Sequence, residues 1–217
     1  EDGRIIKAPH PHALLHGSLV SPTIAAAIIN GKHVNAVPLY RLEQEFSRYG
    51  LNITRQNMAN WMIRLGETYL SVLYDYLHQK LYNYHVIQAD ETPVLVNKDG
   101  RTAGSKSYMW VYRSGHLYED KQIVLYDYHK TRNSSHPKEF LKDYSGICVT
   151  DGYQVYHKIE KEQETLRIAG CWVHARRKFD EAMNVVPKEQ RNKSDAYLAM
   201  KPIQAIYREE DQLKELP

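Results

Sequence analysis

Between residues 21 and 83, apolar residues recur with the three- and four-residue spacing of amphipathic helices. After a first short helix, this spacing predicts helices over residues 38–48, after the capping residue Thr54, and over residues 67–82. Gly50 separates the second helix from the third. Because helix, glycine-containing turn and helix is the outline of a helix-turn-helix unit, the segment is interpreted as a small helical, helix-turn-helix-like domain.

From residue 84 the pattern changes to the apolar, β-branched runs that are typical of strands. Five strands are predicted, at residues 85–96, 108–113, 123–128, 147–150 and 166–169. Helices are predicted after the third, fourth and fifth strands. Three antiparallel strands followed by alternating helices and strands is the order of a ribonuclease-H-like mixed α/β sheet. Residues 84–187 are therefore predicted to form such a core, which is incomplete in this chain.

Two of the predicted strands each deliver a lone carboxylate to their end or edge. Asp90 follows the apolar run of the first strand, and Asp151 follows the fourth strand. In the ribonuclease-H-like order these two strands are neighbours, so the two acids would face each other. Neighbouring carboxylates repel, and a divalent metal is the usual remedy. Asp90 and Asp151 are therefore predicted to bind a metal in a phosphoryl-transfer site; the alternative is that each is a turn or cap aspartate.

Two predicted helices carry polar side chains that suit a nucleic-acid backbone. On the helix after Thr54 these are Arg55, Gln56 and Asn57. On the helix after Cys171 they are His174, Arg176, Arg177 and Lys178, opposite an inner stripe of Trp172, Ala175, Phe179 and Met183. The alternative for both helices is the solvated face of an ordinary amphipathic helix.

Composition changes this picture only modestly. The 217 residues are 42% hydrophobic and 25% charged, which is ordinary for a soluble globular protein. A net charge of +3 permits a nucleic-acid partner without requiring one. No signal peptide or membrane-spanning run is apparent, so a cytoplasmic protein is expected. Residues 1–20 are interpreted as an extended arm. Residues 188–217 are interpreted as the start of a helical insertion, which Pro202 is expected to interrupt or restart.

Five motifs stand in a fixed order along the chain. They are Asp90-Glu91-Thr92-Pro93, Gly104-Ser105-Lys106-Ser107-Tyr108-Met109-Trp110, His136-Pro137-Lys138-Glu139-Phe140-Leu141, Val149-Thr150-Asp151-Gly152-Tyr153 and Cys171-Trp172-Val173-His174-Ala175-Arg176-Arg177-Lys178-Phe179. In order and spacing they resemble the central region of bacterial transposases of the insertion-sequence sixty-six family. The resemblance covers the chain from about Ser21 onward.

The resemblance implies a DDE-type transposase that cleaves and transfers DNA strands. It matches Asp90 to the first catalytic acid and Asp151 to the second, with two Mg²⁺ or Mn²⁺ ions in the intact site. It also implies DNA as the partner, assembly of a homo-oligomer on that DNA, no membrane, and the bacterial cytoplasm.

The family's third acid and its amino-terminal zinc-binding segment find no match in this sequence. The third acid is a glutamate in a motif rich in Asn, Ala, Glu and Arg, which lies beyond an inserted helical segment. None of the later acidic residues is assigned that role; these are Glu181, Glu209, Glu210 and Glu215. The chain is therefore expected to be a fragment that is inactive by itself.

Two other functions are weighed against this one. His174 and Arg177 form a His-x-x-Arg pair that tyrosine recombinases also use, but the two strand-borne acids argue against that metal-free chemistry. The second alternative is a non-catalytic DNA-binding or assembly module. It predicts metal-independent, salt-sensitive DNA binding that alanine at Arg55 or Asn57 weakens.

Overall fold

The computed structural model of the chain describes residues 13–97, 100–115 and 121–213. The chain forms two compact units, Glu1–Tyr76 and Leu77–Pro217. Residues 1–12 of the predicted arm, residues 98 and 99 of the predicted first hairpin, and Glu215 lie outside the described residues. Within the described ranges, no helix is long and apolar enough to cross a membrane.

Four helices lie between residues 22 and 81. They are α1 (Pro22–Ile29), α2 (Leu39–Arg48), α3 (Arg55–Leu65) and α4 (Ser71–Leu81). Short π-helical segments, Asn30–Val34 and Gly66–Leu70, follow α1 and α3. The single helix predicted over residues 67–82 therefore differs at its start, because the chain first passes through the wider π turn before α geometry begins at Ser71.

Capping side chains fix the starts of α1 and α3. The hydroxyl of Ser21 accepts a hydrogen bond from the backbone N–H of Ile24 at 3.3 Å, and Thr54 Oγ1 accepts one from Asn57 at 3.2 Å. Gly50, between α2 and α3, has a φ of +77°, which favours glycine. The predicted boundaries around this turn are confirmed.

The core of the first unit lies between its first three helices. Ile28 from α1, Leu42 from α2 and Met58 from α3 are buried together, with exposed fractions of 1%, 5% and 0%. Burying an apolar side chain of this size stabilises a fold by roughly 1.5–3 kcal/mol. One such residue from each helix therefore gives the unit its own hydrophobic centre.

The second unit contains a five-stranded mixed sheet. The strands are β1 (Val86–Leu95), β2 (Lys106–Ser114), β3 (Val124–His129), β4 (Gly146–Thr150) and β5 (Leu166–Gly170). Their order across the sheet is β3-β2-β1-β4-β5. The β1–β2 and β2–β3 pairs are antiparallel, and the β1–β4 and β4–β5 pairs are parallel. This confirms the predicted ribonuclease-H-like α/β fold class.

Helices α5 (Ser135–Phe140) and α6 (Gln154–Glu162) contribute aromatic side chains to one face of the sheet. Phe140 stacks on Tyr112 of β2 with ring centroids 3.5 Å apart. Tyr156 meets Trp110 edge-on at 6.3 Å. We call this side, which carries Trp110 and Tyr112, the aromatic face. The opposite side, which carries Gln88 of β1, is called the site face.

The last two helices, α7 (Trp172–Asn184) and α8 (Asp195–Leu213), pack against each other. Pro202 lies inside a continuous α8, so the expected interruption there is wrong. Pro202 lacks a backbone N–H, but Met200 and Ile203 on either side of it are buried, and this packing stabilises the helix across the proline. The predicted inner stripe of α7 is also wrong at its first position, because Trp172 is 50% exposed.

Candidate functional site

Asp90 and Asp151 stand at matching positions along the chain, relative to the register of the parallel β1–β4 pair. Gln88 of β1 pairs with Val149 of β4, and each aspartate stands two residues further along its own chain. Asp90 belongs to β1 and lies on the site face, two residues beyond Gln88. Asp151 stands in the bend just after Thr150, the last residue of β4. The two aspartates, predicted from different strands, therefore follow the same register pair by equal numbers of residues.

Each of these carboxylates is held by a backbone N–H just downstream of it. The N–H of Glu91 donates to Asp90 Oδ1 at 2.9 Å, and that of Tyr153 donates to Asp151 Oδ1 at 2.9 Å. The turn between Asp151 and Tyr153 is made by Gly152, whose φ of +91° favours glycine. These bonds orient both side chains through Oδ1 of each carboxylate.

Helix α7 adds a histidine to this pair. Its first turn is tied to β4 by the N–H of Cys171, which donates to the carbonyl of Thr150 at 2.7 Å. His174 Nε2 then lies 3.7 Å from Asp90 Oδ2. His174 Nδ1 is buried and has no hydrogen-bond partner among the described residues. The sequence suggested His174 as a DNA-binding residue of a basic helix face, whereas the structure also places it beside Asp90.

Two open cavities meet at His174. One, of about 440 Å³, is lined by Asp90, Arg113 and His174 among others. The other, of about 610 Å³, is lined by Asp151, His174 and Lys178 among others. Each cavity thus combines one of the acids with a basic side chain, and basic side chains suit phosphate oxygens.

The other predicted phosphate contacts on α7 are exposed. The guanidinium of Arg176 lies over the ring of Tyr207 in α8, 5.8 Å from its centroid. Lys178 Nζ pairs with Glu181 Oε2 at 3.2 Å, and both side chains are solvated. Arg177 is exposed on the same helix. Only Lys178 of these three lines one of the two cavities at the acid pair.

The polar residues of α3 belong to the first unit. Arg55, Gln56 and Asn57 are all exposed in the first turn of the helix. The backbone N–H of Arg55 donates to Glu43 Oε1 at 3.2 Å. This places an acidic side chain from α2 at the helix start, where negative charge is favourable. All three side chains are thus available to solvent and to a ligand.

Glu91, beside Asp90 in sequence, lies on the other side of the sheet. It pairs with Trp110 in the β1–β2 register, and its side chain is only 1% exposed. Glu91 Oε1 accepts a 2.8 Å hydrogen bond from Arg132 Nε and a second bond from Arg132 Nη2. Sequence reasoning missed Arg132, which stands in the segment between β3 and α5 with no periodic pattern around it. Glu91 belonged to a motif but was given no role.

Burial and charge act in opposite directions on this ion pair. Burial raises the pKa of the Glu91 carboxyl, the hydrogen bond and charge of Arg132 lower it, and Asp151 and Asp90 raise it further, so that it is raised on balance. Burial lowers the pKa of the Arg132 guanidinium, but Glu91 raises it above its usual value, with added contributions from Tyr153 and Asp151. The Glu91–Arg132 ion pair is therefore close enough to Asp90 and Asp151 for their charges to affect it.

The donor set on the site face fits a hard divalent cation. Asp90 and Asp151 supply carboxylate oxygens, which suit Mg²⁺ or Mn²⁺ better than Zn²⁺. In the parts of the chain that the structure describes, no group of three or more His, Cys, Asp or Glu side chains is arranged to hold a metal. Two carboxylates by themselves would supply only part of the ligand set that such a cation needs.

Comparison with known proteins finds one matching family and two curated relatives. Residues 17–217 match the sequence model of a family described as "Transposase IS66 family". Two curated relatives are from Sinorhizobium fredii. The uncharacterized protein y4qI is 33% identical over 186 residues, covering 81% of this chain and 34% of the relative. The uncharacterized protein y4jD is 27% identical over 187 residues, covering 81% of this chain and 36% of the relative. The chain spans about a third of the length of these relatives.

Proposed function

Because the chain belongs to the IS66 transposase family, we propose that it carries the first two catalytic acids of a DDE-type transposase, Asp90 and Asp151. The reaction is metal-dependent cleavage and transfer of the DNA strands of an insertion sequence. The observation that supports this proposal is the β1–β4 register, in which each acid follows the Gln88–Val149 pair by two residues.

The residues of this chain would bind the metal ions and orient the DNA phosphate. Backbone N–H groups hold the Oδ1 atoms of Asp90 and Asp151, and the carboxylates would bind the metal ions. The chemistry supplied by two bound Mg²⁺ or Mn²⁺ ions is activation of the attacking oxygen and stabilisation of the leaving oxygen. His174 and Lys178 stand at the two cavities, where they would hold phosphate oxygens against the acids.

The remaining parts of the proposal follow from the family. The third acid is assigned to a part of the protein outside these 217 residues, since the chain spans about a third of its curated relatives. Arg176 and Arg177 are assigned to the DNA backbone. Assembly into a homo-oligomer on the DNA ends, in the bacterial cytoplasm, belongs to the same proposal.

DNA binding in the presence and absence of Mn²⁺ tests this function. We expect Mn²⁺ to raise the affinity of the chain for a labelled duplex by about fivefold or more, a typical coupling between two ligands that share a site. Asp90→Asn and Asp151→Asn should each abolish that increase. Fluorescence anisotropy at fixed ionic strength measures it, and Asp143→Asn, a change at an exposed acid outside the site, is the control.

A second function, a non-catalytic DNA-binding module, is favoured by the exposed polar turn of α3. In that case Arg55→Ala and Asn57→Ala weaken binding equally with and without Mn²⁺, and added salt weakens it steeply. If the DNA affinity changes neither with Mn²⁺ nor with the substitutions of the two aspartates, that result would favour this module over the transposase site for the chain itself.

A further inference from the structure

A short relay of contacts connects the segments that carry the two acids. Glu91, next to Asp90, accepts two hydrogen bonds from Arg132. The guanidinium of Arg132 lies over the ring of Tyr153, with Cζ 3.8 Å from the ring centroid. Tyr153 in turn donates its backbone N–H to Asp151. We call Glu91, Arg132 and Tyr153 the clamp.

The clamp lies where the backbone ladder between β1 and β4 has already ended. In the described residues, the last pair of that ladder is Gln88 with Val149, two residues before each acid. Beyond it, β1 continues beside β2, whereas the chain leaves β4 through the turn at Gly152. Backbone hydrogen bonds between the two strands therefore stop short of the acids, and the clamp links the two segments beyond that point.

The chemistry of the clamp makes it a rigid link. The Glu91 side chain is 1% exposed, and that of Arg132 is 40% exposed. Two N–H groups of the Arg132 guanidinium donate to Glu91 Oε1, while Glu91 Oε2 is buried with no hydrogen-bond partner among the described residues. The flat face of the same guanidinium suits stacking on a tyrosine ring. Because Glu91 is buried as an ion, it stays in place only while Arg132 compensates its charge.

We propose that Arg132 is a positioning residue that sets the separation of Asp90 and Asp151 through Glu91 and Tyr153. The inference rests on the proposed function, since it concerns how the same two acids meet a metal. Among the described residues, no hydrogen bond or ion pair joins the Arg132 side chain to either acid. Arg132 acts on the segments that carry them, from the loop between β3 and α5.

The test must separate this role from simple stabilisation. Removing Arg132 alone leaves the Glu91 charge buried without a partner, so the variant is the neutral pair Glu91→Gln with Arg132→Gln. Tyr153→Leu removes the stacking ring, whereas Tyr153→Phe keeps the ring and removes only the long, 3.4 Å hydrogen bond from the Tyr153 hydroxyl to the Arg132 carbonyl. The matched control is Lys138→Gln with Glu162→Gln, an ion pair of the same unit whose side chains are 60% and 57% exposed.

The readout is Mn²⁺ affinity, from the electron paramagnetic resonance signal of free Mn²⁺. We expect the clamp pair and Tyr153→Leu to lower the affinity by about tenfold, as outer partners of metal ligands commonly do. Tyr153→Phe and the control pair should keep the wild-type affinity, and circular dichroism should report folded protein for every variant.

Two results would contradict the inference in distinguishable ways. If Asp90→Asn and Asp151→Asn lose Mn²⁺ while the clamp variants keep wild-type affinity, Arg132 has no positioning role and the proposed function stands. If the wild-type chain shows no Mn²⁺ binding that depends on the two aspartates, the metal site fails, and the inference fails with it.

Discussion

Gly146→Ala should destabilise the second unit by at least about 3 kcal/mol, since overpacking and a strained backbone act together. Gly146 opens β4 with a φ of +151°. A Cβ at this position would lie 2.5 Å from the carbonyl oxygen of His85 and 2.6 Å from the Tyr144 hydroxyl. The His85 carbonyl also accepts the Ile147 N–H at 2.8 Å, the bond with which β4 joins β1. The methyl group must therefore displace the start of the strand that delivers Asp151.

Hydrogen exchange with mass spectrometry on peptides from 86–95 and 146–150 locates this effect in the second unit. Both peptides should lose protection together, and the unfolding temperature should fall by roughly 10 °C. Gly170→Ala is the control, because a Cβ there meets nothing within 4 Å. Equal protection in Gly146→Ala and wild type would show that the start of β4 has room for a methyl group.

Trp110→Ala should cost about 3–5 kcal/mol, the usual range for emptying a large aromatic site in a core. Trp110 is fully buried on the aromatic face, where it meets Tyr156 and lies opposite Glu91. Its loss opens a cavity under the clamp as well as removing buried apolar area. Chemical denaturation followed by far-ultraviolet circular dichroism measures the change.

Trp110→Phe separates the two contributions of this side chain. The indole Nε1 is buried without a hydrogen-bond partner among the described residues. Phenylalanine therefore removes a polar group that gains nothing from burial, and it keeps most of the ring volume. We expect Trp110→Phe to cost less than half as much as Trp110→Ala. Equal costs would mean that the indole N–H makes a stabilising bond.

Local patterns in the sequence were sufficient to predict the strands and the two acids. The apolar runs before Asp90 and Asp151 have the composition of buried strands, and the strand order makes those two strands neighbours. Once β1 and β4 are parallel partners, the equal offset of each acid from the Gln88–Val149 pair follows. The fold class and the equal offset of the two acids thus depend on features that are encoded within each strand.

The remaining features of the site depend on contacts between distant segments. Arg132 is 41 residues from Glu91 in the chain, and nothing in its own neighbourhood marks it. His174 lies beside Asp90 only because α7 starts at the end of β5, which a helical pattern does not reveal. Trp172 looked like a core residue by spacing, yet the first turn of α7 leaves it half exposed. Side-chain contacts of this kind leave no periodic trace in a sequence.

The proposed function depends most on Asp90 and Asp151 forming one binding site for divalent metal. Calorimetric titration of Mn²⁺ into the wild-type chain, Asp90→Asn, Asp151→Asn and the Asp143→Asn control tests it most directly. We expect weak but saturable binding to wild type and the control, and at least about a tenfold loss in each of the other two, because each loses one of two charged ligands. Equal binding by all four proteins, or no binding by wild type, would contradict the claim.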